Sequence, residues 1–316
     1  MSQTDHAPRT EAIPDVRLRW WTELPLILLV YGAYTAGRLL ARGDVRTAVD
    51  HGVSILRAEK AVHLNLEHPL NRLFTHETWI GVPADFWYAS LHYVVTPAVL
   101  IWLFRRRAHL YRTARTWLMT STMIGLVGFT LLPTCPPRLL SASYGFVDTM
   151  AQYSSYGWWG GAASAPKGMG GMTNQYAAMP SLHVGWALWC GFMLWRHGGG
   201  RWTKAAGVAY PLITTIVVMG TANHYFFDAL AGAAVMGVGL LFTRPVRRIA
   251  ALVKEWAAGL FTGSRGVPVP VPSATRSSIV SGECQTSPGE RIPRQRKAAA
   301  RSQPRDTGDG AAAPAR

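Results

Sequence analysis

The sequence predicts an all-α membrane protein, a polytopic bundle of about six transmembrane helices followed by a basic, disordered C-terminal tail. Two observations predict it. Apolar residues make up 49% of the 316-residue chain. They are gathered into long runs such as 24–34 and 205–220, not spread at the period that leaves a soluble helix one wet face. Charged residues are only 16% of the chain, and the basic ones cluster beside the apolar runs and in the tail.

Residues 1–19 are polar and read as a cytoplasmic segment. The run that follows, 20–41, is too long for the core of a signal peptide and has no small-residue cleavage site behind it, so it reads as a retained anchor. Further spans fit 82–104, 116–132, 182–195, 205–222 and 226–243, close to the roughly 20 residues needed to cross the hydrocarbon core. Pro211 falls inside the fifth; neighbouring helices can re-satisfy the carbonyl it frees. Residues 20–245 are therefore expected to form one membrane domain.

Arginines set the orientation. Arg105, Arg106, Arg107, Arg112 and Arg115 lie between the second and third spans, and Arg196, Arg201 and Lys204 between the fourth and fifth. Arg17 and Arg19 precede the first span, and Arg244, Arg247, Arg248 and Lys254 follow the last. All four clusters belong on the cytoplasmic side of the plasma membrane, with both termini. This placement accounts for much of the formal net charge of +15 without a nucleic-acid partner, and none is expected.

Two longer loops, 42–81 and 133–181, are then external. The first carries an amphipathic stretch over 53–66, expected to lie along the membrane interface. The second is rich in Gly, Ser, Trp and Tyr and is long enough to be functional. The tail comprises residues 246–316. From about residue 262 it turns Pro-, Ser-, Arg- and Ala-rich, with nine basic and four acidic residues, and holds too little apolar material to build a core. Cys135, Cys190 and Cys284 are far apart and form neither a metal-type spacing nor a disulfide framework.

This topology delivers His183, His224, Asp228 and Arg138 to the external ends of their spans. Ionisable groups at membrane depth are expensive to bury, so their gathering nominates a site. His224 and Asp228 are spaced i, i+4 and share a helix face, so the carboxylate is expected to accept the proton of one ring nitrogen and leave the other nucleophilic. A neutral imidazole of that kind can attack phosphorus and form a phosphohistidine. His183 is placed to protonate the leaving oxygen and later to deprotonate the incoming water or alcohol. Arg138, as a bidentate fork, and Lys167, as a mobile point charge, are candidates to hold phosphate oxygens, and Ser181 is counted with them as substrate-binding.

His92, with Trp87 and Tyr88, reads as part of an aromatic belt with a polar tip and is left outside the site. His51, His63, His68 and His76 lack the tight spacing of a metal centre. Neither metal nor cofactor is expected.

The segments AAMPSLHVGWA at 177–187 and NHYFFD at 223–228 resemble the second and third signatures of the type 2 phosphatidic acid phosphatase superfamily. They are most similar to its inositol phosphorylceramide synthase-like branch, in which PSLH replaces the PSGH of the lipid phosphatases. The resemblance covers about residues 20–245, including PTCPPRLL at 133–140. It implies a six-helix bundle and a metal-independent phosphoryl transfer, with His224 as nucleophile, Asp228 orienting it and His183 as acid. The substrate would be a lipid-linked phosphate. Two features of the phosphatase pattern are absent: Val218 stands where an arginine precedes the nucleophile, and there is no KxxxxxxRP segment. Arg138 is the expected substitute.

The function expected is transfer of a phosphoryl-headgroup, for instance of inositol-phosphate type, from a membrane lipid to an alcohol, with hydrolysis alone as the alternative. Two readings of another class are a haem protein ligated by His183 and His224 and a non-catalytic transporter or scaffold.

Overall fold

The computed structural model describes residues 20–40, 44–159, 167 and 174–262. The segment 1–19 expected to be cytoplasmic and the tail beyond 262 expected to be disordered lie outside these. Among the described residues every regular element is helical, and a lone β-type bridge pairs Thr134 with Ala177.

The chain runs through α1 (Trp20–Leu40), α2 (Val45–Ala61), α3 (Glu67–His76) and α4 (Thr78–Phe86). A π-turn, Trp87–Leu91, leads into α5 (His92–Arg106), followed by α6 (Ala108–Leu131). After a loop with two 3₁₀ turns come α7 (Thr149–Gln152), α8 (Leu182–His197), α9 (Arg201–Gly220) and α10 (Phe226–Thr262). The six apolar segments read from sequence all fall on helices. Three stretches of the described chain are long and apolar enough to cross a membrane: Thr78–Arg106, Arg201–Gly220 and Phe226–Leu260. The helix α10 continues through the arginine-rich stretch after residue 243, because Arg, Ala, Leu and Lys are good helix formers.

The central packing is α8 along α9, with α10 against both α6 and α8. Helices α8 and α9 approach at Gly191 and Gly207: a Cβ on Gly191 would lie 2.3 Å from the Gly207 carbonyl oxygen. Buried indoles have their polar edge satisfied, as an apolar interior demands. Trp117 Nε1 donates to the Met236 carbonyl at 2.8 Å and Trp189 Nε1 to that of Ala114 at 3.1 Å.

Basic clusters meet at one end of the bundle. Arg107 donates to the His197 carbonyl, Arg247 to the Thr113 hydroxyl, and Arg115 pairs with Glu23. Helix α2 departs from expectation. Its stripe of Ala48, Gly52, Val53, Leu56 and Glu59 is buried, and its apolar members pack with Cys135, Leu140 and Tyr225. The amphipathic face is thus covered by protein, since the loop after α6 and the start of α10 present a complementary apolar surface.

Candidate functional site

Ser181 starts α8. Its side chain, wholly buried, accepts from the Val184 N–H at 3.5 Å as the N-cap, and its own N–H donates to the Asp228 carbonyl at 2.9 Å. A Cβ on Gly232 would meet the Ser181 carbonyl oxygen at 2.2 Å, so only glycine lets α10 approach this closely. The result fixes the N-terminus of α8 against the first turn of α10. His183 is the second residue of α8, at the positive end of the helix dipole, which favours an anion.

The link from α9 to α10 is held from several sides. Ala222 adopts φ 53°, a left-handed conformation costing about 1–2 kcal/mol for an L-residue, and its carbonyl accepts from the Arg138 N–H at 2.9 Å. Two residues on, His224 is 4% exposed. Its Nδ1 lies 2.9 Å from the Ala178 carbonyl oxygen and 3.5 Å from Asp228 Oδ2. A carbonyl can only accept, so Nδ1 carries the proton and the lone pair is on Nε2. Nε2 is buried and has no hydrogen-bond partner.

The sequence assigned the orienting bond to Asp228; the shorter contact is to Ala178. Asp228 Oδ2 also accepts from the Tyr225 N–H at 2.9 Å, an N3 side chain reaching back to the residue before the helix. Glu59 of α2 completes this end of α10, accepting from the Phe227 N–H at 2.6 Å. Burial pushes the Glu59 carboxyl up to about 9, with Glu67 and Asp228 adding to the effect.

The structure brings His183 and His224 together, ring centroids 5.7 Å apart with planes at 59°. It adds two residues that sequence reasoning left out. The Tyr88 ring stacks on His183 at 4.4 Å and lies 6.3 Å from His224, and the His92 ring lies 4.5 Å from His183. The available signal was their i, i+4 spacing at the external end of the second span, outweighed by its likeness to an interfacial belt.

The expected phosphate-binding residues fare differently. Arg138 is 8% exposed, and its fork is already engaged: Nε donates to Asn223 Oδ1 at 2.9 Å and Nη1 to Asp148 Oδ2 at 2.7 Å. Asp148 balances its charge, and the bond to Asn223 ties it to the residue before His224. Ser181, expected to touch substrate, has its hydroxyl on the α8 cap. Lys167 is exposed, and residues 160–166 and 168–173 around it lie outside the described set.

Of the four loop histidines, His51 Nδ1 contacts the Pro133 carbonyl at 2.8 Å and His68 packs edgewise on Phe146. No grouping of three or more His, Cys, Asp or Glu among the described residues suits a metal ion.

A family model described as the PAP2 superfamily matches residues 53–242, a span that contains every residue of the ring cluster and Asp228. No curated protein and no solved structure matches the chain.

Proposed function

We propose, on the premise that this chain belongs to the PAP2 superfamily, that it is a membrane-embedded phosphotransferase or phosphatase acting on a lipid-linked phosphate through a phosphohistidine on His224. The observation that carries this is the state of the His224 ring. Its Nδ1 proton is fixed on the Ala178 carbonyl, and its Nε2 is buried, unpartnered and beside a second imidazole.

In the first half-reaction Nε2 of His224 attacks phosphorus. The bond to the leaving oxygen breaks, and protonated His183 supplies its proton to that oxygen. The phosphorylated ring keeps its Nδ1 proton and becomes cationic, a charge that the Asp228 carboxylate at 3.5 Å stabilises. In the second half-reaction neutral His183 takes the proton of water or an alcohol, whose oxygen displaces His224. Dipoles at the α8 N-terminus stabilise the charge on the phosphoryl oxygens. The synthase-like PSLH and HYFFD segments favour an alcohol acceptor and a headgroup of inositol-phosphate type; hydrolysis uses the same steps with water.

The membrane domain is read as residues 20–245 with six crossing helices, both termini cytoplasmic and the site facing outward across the plasma membrane. Support comes from the basic clusters, which meet at one end of the bundle through Arg107, Arg115 and Arg247 and mark the inner face.

The test is rapid quenching of purified protein with radiolabelled lipids, phosphatidic acid and phosphatidylinositol among them, followed by phosphohistidine analysis, with and without added inositol. Wild type is expected to accumulate acid-labile, alkali-stable label, and His224→Ala none. Turnover unchanged in His224→Ala, His183→Ala and Asp228→Asn together would refute the proposal.

A further inference from the structure

The π-turn Trp87–Leu91 interrupts an otherwise continuous α-helical run from Thr78 to Arg106. Turns of this kind re-aim the side chains around them and recur where a side chain must point at a site. Two residues, Tyr88 within the turn and His92 directly after it, converge on one target. They are 8% and 9% exposed, and both pack on the His183 ring.

Their geometries differ. Tyr88 lies nearly parallel to His183, planes 26° apart at 4.4 Å, whereas His92 stands almost perpendicular, planes 80° apart at 4.5 Å. A parallel ring restrains tilt but permits the imidazole to spin in its own plane and to slide. A perpendicular ring blocks those remaining motions. His92 is fixed in turn by Trp186, one turn along α8 from His183, at 6.0 Å between centroids.

We infer that His92 is a positioning residue for His183, holding the acid imidazole in the one orientation from which its proton reaches the leaving oxygen. The inference rests on the reading of His183 as general acid. It makes a specific demand on the kinetics, because a proton donor matters most when the leaving oxygen is a poor leaving group. With an aryl phosphate the phenolate departs unaided, and the first half-reaction is indifferent to where the His183 proton points.

The experiment compares wild type, His92→Ala and His92→Phe, each folded by thermal unfolding in detergent, on two esters. Rapid-quench phosphoenzyme formation is measured with radiolabelled phosphatidic acid, and the p-nitrophenolate burst with p-nitrophenyl phosphate. For His92→Ala the expected result is phosphoenzyme formation from the lipid slowed by about 10²-fold, the loss that goes with a misplaced catalytic group, with the burst rate from the aryl ester within about threefold of wild type. His92→Phe, which keeps a perpendicular ring, should recover most of the lipid rate. Equal slowing on both esters, or no slowing on either, overturns the inference while leaving the phosphohistidine reading intact. A wild type that forms no covalent phosphohistidine adduct with either ester or with phosphatidylinositol removes both.

Discussion

His224 donates from Nδ1 to the carbonyl oxygen of Ala178 at 2.9 Å, across 46 residues of sequence. This contact joins the loop that leads into α8 to the link that leads into α10, so the segment carrying the proposed acid also sets the tautomer of the proposed nucleophile.

Because the backbone fixes that tautomer, the Asp228 carboxylate is left with the electrostatic part of the work. Asp228→Asn is expected to reduce kcat by about 10–100-fold, as the cationic phosphorylated ring loses a nearby charge partner, with KM little changed. His224→Ala should abolish phosphoenzyme altogether. Steady-state kinetics beside phosphohistidine trapping distinguishes the two; equal losses would mean that the carboxylate, not the carbonyl, orients the ring.

Arg138 ties Asn223 and Asp148 together from a site almost closed to solvent. A lysine has one ammonium and cannot reach both acceptors in that fork geometry. Arg138→Lys is expected to lower Tm in detergent, with a loss of about 1–3 kcal/mol for the one buried acceptor that the ammonium leaves without a hydrogen bond. Phosphate affinity should fall only as far as the His224 segment loosens. A variant with wild-type Tm and greatly raised KM would instead assign the guanidinium directly to substrate.

Glu59 gives the fold a pH dependence whose sign is fixed. Burial raises its carboxyl from an ordinary value of 4.5 to about 9, so the folded state holds this proton more tightly than the unfolded chain. The associated stability is complete below about pH 4.5 and is lost progressively as pH rises toward about 9. Glu59→Gln keeps an acceptor for the Phe227 N–H and removes the ionisation. Its Tm should fall less between pH 6 and about pH 9 than that of wild type, as read by thermal unfolding across that range.

Gly232→Ala places a methyl group 2.2 Å from the Ser181 carbonyl oxygen, a backbone atom that has no side-chain rotation by which to yield. Either α8 or α10 must shift, and with it the spacing of His183 and His224. A displacement of order 1 Å costs about 10²-fold in rate, so kcat should fall by that order. The matching change Gly237→Ala, where nothing lies within 4 Å of the added carbon, should leave kcat unaltered.

The helices were legible because length and apolarity are local properties: the six runs read along the chain coincide with α1, the π-interrupted α4–α5, α6, α8, α9 and α10. His183, His224 and Asp228 were legible as a group because each sits at an end of an apolar run, where an ionisable group is a functional candidate. The parts not legible along the chain depend on neighbours. Helix α2 looked like a lipid-facing amphipath because its period says only that one face is apolar, not what covers it. The Arg138 fork looked free because Asp148, ten residues away across two 3₁₀ turns, gives no periodic signal. Tyr88 and His92 looked like interfacial anchors because a π-turn leaves no mark in hydropathy.

By itself the sequence determined that apolar segments must leave water and that their ends must carry whatever polar chemistry the protein performs, since composition along one helix decides its solvent. Only the tertiary structure decided which groups touch. The Ala178 carbonyl chooses the His224 tautomer, Asp148 neutralises Arg138, and Tyr88 and His92 enclose His183. Proton placement and ring orientation are set over distances of three to five ångströms between segments far apart in the chain, and no pattern read along one strand of residues contains them.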